Sequence, residues 1–267
     1  MRKRKGLTVI ETIVIIVIIG FLFIFLKPAF ERYLGPKYPV KPTCMSNLKQ
    51  FGIFYVMYCE DNNGTFSTGL AGKTDRDDWL VSLKPYYKVE KSLLLCPEAK
   101  LPRTDGNSYG GPNNSYQVTM DTEDMGQTTI ASSYGLNCWL YNPPSDSNIA
   151  TSHAAENFWR TNGYTNASQI PFLGDSMWTG SYPEPDGVAG QPPSINGQWD
   201  GIDSEMKHFS IDRHDSAINI VFMDGHVEKV GLKKLWKLKW HQNFDTSGPW
   251  TQSGVKWPEW MKKLKDK

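Results

Sequence analysis

Apolar residues fill nearly every position from 7 to 26, directly after a short basic segment. A helix of these twenty residues is about 30 Å long, which matches the hydrocarbon thickness of a bilayer. The pattern predicts a membrane-spanning helix over 7–34, with a basic leader over 1–6 ahead of it. Glu11 interrupts the run. Because a carboxylate at bilayer depth costs about 2.5–3.5 kcal/mol, we expect Glu11 to have a partner or a function.

The helical pattern ends in a segment with one glycine and three prolines, Gly35, Pro36, Pro39 and Pro42. Proline removes a backbone donor and disfavours helix in the residue before it. The sequence therefore predicts a linker over 35–42, followed by a separate globular domain over 43–267.

A second helix is predicted to begin at Thr43, whose side chain can serve as its N-cap. Its apolar residues recur at spacings of three and four and form one face suited to packing on a sheet: Leu48, Phe51, Tyr55, Tyr58 and Cys59. Gly52 interrupts the helix at a cost of about 1 kcal/mol, which is tolerated where close packing requires a glycine.

Strand formers over 217–223 and 226–230 flank the dipeptide Asp224-Gly225. This dipeptide is favoured in two-residue type I′ hairpin turns. Two shorter strands are predicted over 128–133 and 169–173, within a polar, turn-rich stretch from about 100 to 208. The predicted fold class is therefore α+β and pilin-like: an N-terminal transmembrane helix, then a head with a helix packed on an antiparallel sheet and long loop insertions.

Composition agrees with a folded domain on the far side of a membrane. Apolar residues make up 39% of the chain, and 10 Trp, 12 Tyr and 12 Phe predict an aromatic-rich core. The formal charge is +1, and removal of the four basic residues in 1–6 would leave −3. A charge this close to zero predicts no nucleic-acid partner.

The chain has four cysteines, and an even number in an exported domain favours two disulfides. Cys44 and Cys59 lie fifteen residues apart on the second predicted helix, about 22 Å, whereas a disulfide needs Cα atoms within about 7 Å. Two pairings stay open: Cys44–Cys96 with Cys59–Cys138, or Cys44–Cys138 with Cys59–Cys96. Free buried thiols are an alternative, and a zinc site is less favoured because no C-x2-C spacing occurs.

Five titratable residues near the hairpin fall within nineteen positions: His208, Asp212, His214, Asp224 and His226. Such residues can ligate zinc or act as an acid–base pair. We favour a simpler interpretation, in which His214 hydrogen-bonds backbone around the turn, and assign no metal ligand and no catalytic residue. Acidic loops at 61–63, 75–78, 121–124 and 200–203 lack EF-hand spacing, so no cofactor is predicted, with calcium as an open alternative.

Aromatic residues are frequent in the long loops: Trp139, Tyr141, Trp159, Tyr164, Trp178 and Trp199. They would suit stacking on a carbohydrate or the anchoring of loops that have little other core. We favour loop anchoring.

The segment K-G-L-T-V-I-E over 5–11 resembles the type IV prepilin signal. In type IV pilins and type II secretion pseudopilins, a prepilin peptidase cuts after the glycine and methylates the new N-terminus. The resemblance implies cleavage after Gly6 and methylation of Leu7, where Phe is more usual. The family's glutamate corresponds to Glu11, which would neutralise the N-terminal amine of a neighbouring subunit. Its helix-kinking proline corresponds to Pro28, but the Pro-rich linker departs from the uninterrupted helix of most pilins.

A second resemblance covers most of the chain. Prepilin-like bacterial proteins with an H-x9-DG signature share C-x-x-N-L-K-Q-x-G, found here over 44–52, and then D-N-N-G over 61–64. The sequence also matches them at L-C-P over 95–97, S-Y-G-L-N over 133–137 and G-D-S over 174–176. The signature itself corresponds to His214, Asp224 and Gly225.

These resemblances imply a non-enzymatic structural subunit of a type II secretion pseudopilus or a type IV pilus-like filament. The implied partners are the prepilin peptidase/methyltransferase, other pilin-like subunits through the N-terminal helix, and the inner membrane. The implied localisation is single-pass in the bacterial inner membrane, with a cytoplasmic N-terminus and the C-terminal domain in the periplasm or on the cell surface. The alternatives are a membrane-anchored envelope or carbohydrate-binding module and a metal-dependent enzyme built around His214.

Overall fold

The computed structural model describes residues 9–34, 43–69, 78–87, 90–122, 126–147 and 152–264. The chain divides into two compact units, Met1–Lys41 and Pro42–Lys267. The predicted leader over 1–6 and the linker over 35–42 lie outside the described residues.

The first unit contains helix α1, Val9–Leu34. Among the described residues, no helix combines the length and the apolarity that crossing a bilayer requires. Charged residues at Glu11 and Lys27 leave an uncharged stretch of fifteen residues between them, whereas a bilayer needs about 20. The predicted transmembrane helix over 7–34 is therefore wrong, both as part of the fold class and as the basis for a single-pass inner-membrane localisation.

The second unit begins with helix α2, Cys44–Asp61. The Thr43 side chain accepts a hydrogen bond from the Ser46 backbone at 3.1 Å, and the Ser46 hydroxyl accepts one from the Thr43 backbone at 3.0 Å. This reciprocal capping box confirms the predicted start of the helix at Thr43. The buried face of α2 consists of Cys44, Asn47, Leu48, Phe51, Gly52, Tyr55 and Cys59.

The described residues include four short α-helices after α2: α3 (Trp79–Ser82), α4 (Lys84–Tyr87), α5 (Glu205–Phe209) and α6 (Glu259–Lys262). Short 3-10 segments lie at Lys91–Leu94, Cys138–Leu140, Ala155–Asn157, Ala167–Gln169, Leu232–Lys237 and Pro249–Thr251. The seven strands in the described residues are β1 (Tyr116–Thr122), β2 (Gly126–Ser132), β3 (Tyr134–Asn137), β4 (Pro171–Asp175), β5 (Gly180–Ser181), β6 (Ala217–Phe222) and β7 (Val227–Gly231).

β1 and β2 form a separate antiparallel hairpin, and the other strands form one sheet in the order β5-β3-β4-β6-β7. The pairs β3–β4, β4–β6 and β6–β7 are antiparallel, but β3 and β5 are parallel. The second unit is therefore α+β as predicted, with one parallel pair at the edge of a sheet that was expected to be antiparallel throughout.

Helix α2 packs on β6 at Gly52. A Cβ atom at this position would lie 2.8 Å from Cγ2 of Val221 and 3.3 Å from the Cα of Gly225. Only glycine allows this approach of helix to strand, which confirms the predicted reason for a glycine inside α2.

The hairpin of β6 and β7 forms as predicted, but its turn is longer than two residues. The Gly225 N–H donates to Phe222 O at 2.8 Å, and the Phe222 N–H donates to His226 O at 3.0 Å. Gly225 has φ +79°, whereas Asp224 does not have a positive φ. A type I′ turn needs positive φ at both central residues, so the connection is a three-residue loop with glycine in the left-handed position.

Candidate functional site

Five polar side chains from separate parts of the chain meet in the interior of the second unit. We call them the charged cluster: Cys44, Cys96, Asp175, Arg213 and His214. Cys44 is the first residue of α2, Asp175 ends the central strand β4, and the Arg213-His214 pair precedes β6. Packing of α2 on the sheet therefore brings the first residue of the helix to the end of β4.

The segment that carries Cys96 is held by hydrogen bonds to its neighbours. The Asn47 side chain on α2 donates to Leu95 O at 3.1 Å. Leu94 O accepts from the Ser133 N–H and from the Ser132 hydroxyl, both at 2.9 Å. The backbone next to Cys96 is thus fixed to α2 on one side and to the start of β3 on the other.

Asp175 is fully buried and makes hydrogen bonds through both carboxylate oxygens. Arg213 Nη1 lies 3.0 Å from Oδ1, and His214 Nε2 lies 3.0 Å from Oδ2. The Asn219 N–H donates to Oδ2 at 2.8 Å. Burial opposes ionisation, but the hydrogen bond from His214 and the charge of Arg213 hold the pKa of Asp175 below its usual value.

Arg213 is buried with Asp175, and its guanidinium also donates to four backbone carbonyls: Gly111 at 2.7 Å, Pro112 at 3.0 Å, Ser176 at 3.1 Å, and Ser133. A buried guanidinium requires such a full set of acceptors, because each unmet donor would carry a desolvation penalty. Arg213 therefore holds the loop at 111–112 against the strands that end at the cluster.

The two thiols of the cluster have different protonation. Burial raises the pKa of Cys44, whose Sγ lies 3.4 Å from Asp175 Oδ2. A hydrogen bond from Cys44, and then one from His214, lower the pKa of Cys96 to about 6 although burial opposes this. Burial also opposes the charged form of His214, but hydrogen bonds to Asp175 and Cys96 raise its pKa to about 9. Both shifts favour the charged forms, a thiolate at Cys96 and an imidazolium at His214.

This arrangement does not match a cysteine nucleophile with its base. In such a relay the nucleophile and the orienting carboxylate bind different nitrogens of the histidine. Here Cys96 Sγ, at 3.5 Å, and Asp175 Oδ2 both lie next to Nε2 of His214. Cys96 has no exposed surface, so a substrate cannot reach its sulfur. The geometry fits the binding of a cation better than attack on a substrate.

The four cysteines are free thiols in the structure, so neither predicted pair of disulfides is formed. Cys44 and Cys96 lie together in the cluster. Cys59 is buried beside Tyr55, and burial raises its pKa to about 12. Cys138 is also buried, and its thiol lies 3.7 Å from Leu136 O. The motifs C-x-x-N-L-K-Q-x-G and L-C-P, which contain Cys44 and Cys96, therefore lie next to each other in the fold.

The histidines and aspartates near the hairpin do not converge as a metal site would need. The ring of His208 is within hydrogen-bonding distance of Ser181 Oγ and, at 3.0 Å, of Gly201 O. His226 lies 2.6 Å from Asp224 at the hairpin loop, and Asp212 accepts from the Ser216 N–H. The structure also differs from the favoured interpretation of His214, because the imidazole ring contacts Asp175 and Cys96.

In the described part of the chain, three or more metal-ligating side chains converge in one place, at Cys44, Cys96, Asp175 and His214. Two acidic residues of the loops considered for calcium have protein partners: Asp61 accepts from the Tyr86 hydroxyl, and Asp200 pairs with Lys207. The sequence reasoning missed Asp175 and Arg213. The one available signal for Asp175 was its place in the G-D-S match over 174–176.

The loop aromatics are mostly buried. Trp139, Tyr141 and Trp159 belong to the core, and the indoles of Trp139 and Trp159 donate to Pro183 O and Trp240 O. Trp199 stacks against Tyr109 and against His208, at centroid distances of 4.7 Å and 4.9 Å. Since protein rings use its stacking surface, the structure supports loop anchoring over carbohydrate stacking.

The residues of the prepilin-like segment are only partly described. Gly6 and Leu7 lie outside the described residues. Glu11 is in the first turn of α1, and Pro28 lies within the same helix. No family model matches the chain, and no curated protein or solved structure is detectably similar to it.

Proposed function

We propose that the protein is a non-enzymatic, pilin-like subunit of a type II secretion or type IV pilus-like filament. The observation that carries the proposal is the exposure of α1. Eleven of its apolar side chains have exposed fractions between 45% and 76%: Val9, Ile10, Ile13, Val14, Ile15, Ile16, Val17, Ile18, Phe21, Leu22 and Leu26. Such a surface requires a covering partner, since apolar area in water costs about 25 cal/mol per Å².

The pattern of α1 favours several neighbours over one. Residues 13–18 are all apolar and exposed, and six consecutive residues cover more than one and a half helical turns. Apolar groups therefore face every side of the helix. A helix of this kind is buried all round, whereas an amphipathic helix needs cover on one face only. A bundle of identical α1 helices from successive subunits would supply that cover.

Glu11 gives such a bundle a means to set its stagger. Cleavage after Gly6 by a prepilin peptidase would leave the amine of Leu7 at the start of the chain, N-methylated in the mature subunit. A carboxylate inside an apolar bundle is stable only when an opposite charge pairs with it. The Leu7 amine of a neighbouring subunit is the partner that we propose, which would allow one register between adjacent helices.

The second unit agrees with a structural role. Its one described convergence of reactive side chains is closed to solvent at Cys96, and the aromatic residues of its loops serve its own core. We infer that this unit forms the head of the subunit and carries out no chemistry on a substrate.

The test is to produce the full chain in a bacterium with a prepilin peptidase and a pilus-assembly machine. We expect the mature chain to begin at N-methylated Leu7, as measured by mass spectrometry of the intact protein. Glu11→Gln should keep this processing and lose sheared filaments in electron micrographs. Glu60→Gln changes an exposed glutamate of α2 and should assemble as the unmodified chain does.

Two results would contradict the proposal. One is a mature chain that keeps residues 1–6 and remains monomeric. The other is a Glu11→Gln chain that assembles filaments as well as the Glu60→Gln control.

A further inference from the structure

We propose that Cys44, Cys96, Asp175 and His214 bind one Zn²⁺ ion inside the second unit. The four ligand atoms lie within 4.8 Å of one another, and they come from α2, the segment after the Lys91–Leu94 turn, β4 and the residue run before β6. This inference does not depend on the filament role, because none of the four residues belongs to α1.

Three of the six separations between the four ligand atoms are close to those of a tetrahedral zinc site. Zinc–ligand distances of about 2.3 Å to sulfur and about 2.0–2.1 Å to nitrogen or oxygen place neighbouring ligand atoms about 3.3–3.8 Å apart. Cys96 Sγ lies 3.5 Å from His214 Nε2, and Cys44 Sγ lies 3.4 Å from Asp175 Oδ2. Asp175 Oδ2 and His214 Nε2, at 3.0 Å, need to separate by only a few tenths of an ångström.

The chemical types of the four ligand atoms favour zinc over calcium and magnesium. Two sulfurs and an imidazole nitrogen are ligands for zinc, whereas calcium and magnesium bind oxygen. Four protein ligands without an open position are typical of a structural zinc site, not of a catalytic one. The burial of Cys96 and Asp175 agrees with this, because neither has an exposed side-chain surface for a substrate to contact.

The charges balance when Arg213 is counted. Two thiolates and one carboxylate around Zn²⁺ leave a net charge of −1. The guanidinium of Arg213 lies 3.0 Å from Oδ1 of Asp175, the oxygen that does not approach His214. Its carbonyl partners fix its position, so it can orient the carboxylate and neutralise the site.

A Cys44–Cys96 disulfide is the competing outcome, because it would use the same two sulfurs. It would use only the two sulfurs and leave the pair of Asp175 and His214 unchanged beside them. Zinc binding uses all four side chains.

The experiment uses the full chain, purified under reducing conditions and stripped of metal with a chelator. Zinc is then returned, the excess is removed, and metal is counted by plasma mass spectrometry. We expect one Zn²⁺ per chain. Co²⁺ in place of zinc should give the sulfur-to-cobalt charge-transfer bands and the intense ligand-field bands of a tetrahedral site with two thiolates.

The variants Cys96→Ser and Cys59→Ser form a matched pair, since each removes one buried thiol. Cys96→Ser removes a direct ligand and should weaken zinc binding by more than the roughly 10–100-fold that the loss of an outer-shell partner costs. Cys59→Ser should keep one Zn²⁺ per chain and the cobalt spectrum. The spectrum of the unmodified chain tests the site even if Cys96→Ser does not fold.

Three results would overturn the proposal. The first is a folded, reduced chain that takes up no stoichiometric zinc. The second is a Cys44–Cys96 disulfide in protein isolated without reductant, found by peptide mass spectrometry. The third is a cobalt spectrum without thiolate charge transfer, which would place the metal elsewhere. None of these results bears on filament assembly, so the two proposals can fail separately.

Discussion

Asp175 and Glu205 are two carboxylates withdrawn from bulk water, and their surroundings have opposite effects. Asp175 faces the guanidinium of Arg213 and the imidazole of His214, and its pKa lies below the usual value. Glu205 starts α5, beside a pocket of about 210 Å³, and accepts a hydrogen bond from the Tyr182 N–H at 2.8 Å. Burial raises the pKa of Glu205 to about 7.

The difference shows that burial alone does not decide the charge of an acidic side chain. The hydrogen bond from His214 and the charge of Arg213 outweigh desolvation at Asp175, whereas hydrogen bonds from the Tyr182 backbone and the Ser181 side chain do not outweigh it at Glu205. A carboxylate that stays charged in the interior can ligate a metal ion at neutral pH. The region around Asp175 carries the proposed site because four ligand atoms meet there within 4.8 Å of one another.

The largest expected effect follows from the removal of one charge of the buried pair. Asp175→Asn leaves Arg213 buried without its counter-ion, which should lower the free energy of unfolding by about 3–5 kcal/mol. Urea denaturation of the metal-free chain measures the loss. Glu205→Gln is the matched control and should not lower the stability at pH 7, because it removes a carboxyl whose ionisation is opposed by burial. Equal losses in the two variants would mean that burial, not charge pairing, distinguishes the two sites.

The next effect is a pH dependence of opposite sign at the two carboxylates. The folded-state pKa of Glu205 is about 7, above its usual 4.5, so its contribution to stability is complete below pH 4.5 and is lost as pH rises through 7. Asp175 has a lowered pKa, so its contribution is present above about pH 3.8 and is lost as pH falls further.

Between pH 4.5 and 8, the free energy of unfolding of the unmodified chain should therefore fall by on the order of 1–3 kcal/mol. The Glu205→Gln chain should not show this fall. Denaturation of the metal-free proteins at each pH measures both. Parallel stability curves for the two proteins would show that Glu205 ionises normally in the folded state.

A smaller effect tests whether the packing of α2 on β6 positions Cys44 beside Asp175. Gly52→Ala would force a Cβ atom to within 2.8 Å of Val221, and such overpacking costs about 1–3 kcal/mol. The shift of α2 should also weaken zinc binding. Gly163→Ala is the control, because a Cβ atom there meets no atom within 4 Å. If both alanine variants are as stable as the original, the helix is not seated on β6 as described.

The smallest effect is spectroscopic. Metal-free protein at pH 7.5 should show thiolate absorbance near 240 nm, because the pKa of Cys96 is about 6. This absorbance should disappear in Cys96→Ser and persist in Cys59→Ser, since the pKa of Cys59 is about 12. An absorbance lost in both variants would place the thiolate outside the charged cluster.

Local patterns predicted the parts of the fold that depend on neighbouring residues. The N-cap at Thr43, the buried face of α2 and the strands β6 and β7 all follow from spacing and propensity. The tight contact at Gly52 was also predictable, since a helical glycine needs a packing reason. The predicted type I′ turn does not form, because the Asp224-Gly225 dipeptide also suits a longer loop in which only Gly225 lies in the left-handed region.

The membrane-spanning prediction over 7–34 was wrong for a reason present in the sequence itself. The apolar run over 7–26 contains Glu11 and is followed by Lys27, and among the described residues no helix combines the length and the apolarity that a bilayer requires. The processing site at Gly6 and Leu7, and the role of Glu11, stay predictions.

The charged cluster was beyond local pattern, because its members meet only through the tertiary fold. Cys44 and Asp175 are separated by 131 positions, and Cys96 and His214 by 118. The even number of cysteines favoured disulfides, and the absence of C-x2-C spacing made a zinc site less favoured. His214 was grouped with its sequence neighbours, whereas the sheet order places β6 beside β4 and so brings His214 to Asp175.

The wide separation of these positions has a consequence for biogenesis. Contacts between distant segments form late, after the entropy of closing long loops has been overcome. A nascent chain synthesised only as far as β4 already carries Cys44 and Cys96, but the imidazole and guanidinium that will surround them have not yet been made. During that interval both sulfurs are open to oxidants and to cross-linking with other polypeptides, so the yield of native protein depends on the redox conditions under which the last third of the chain emerges.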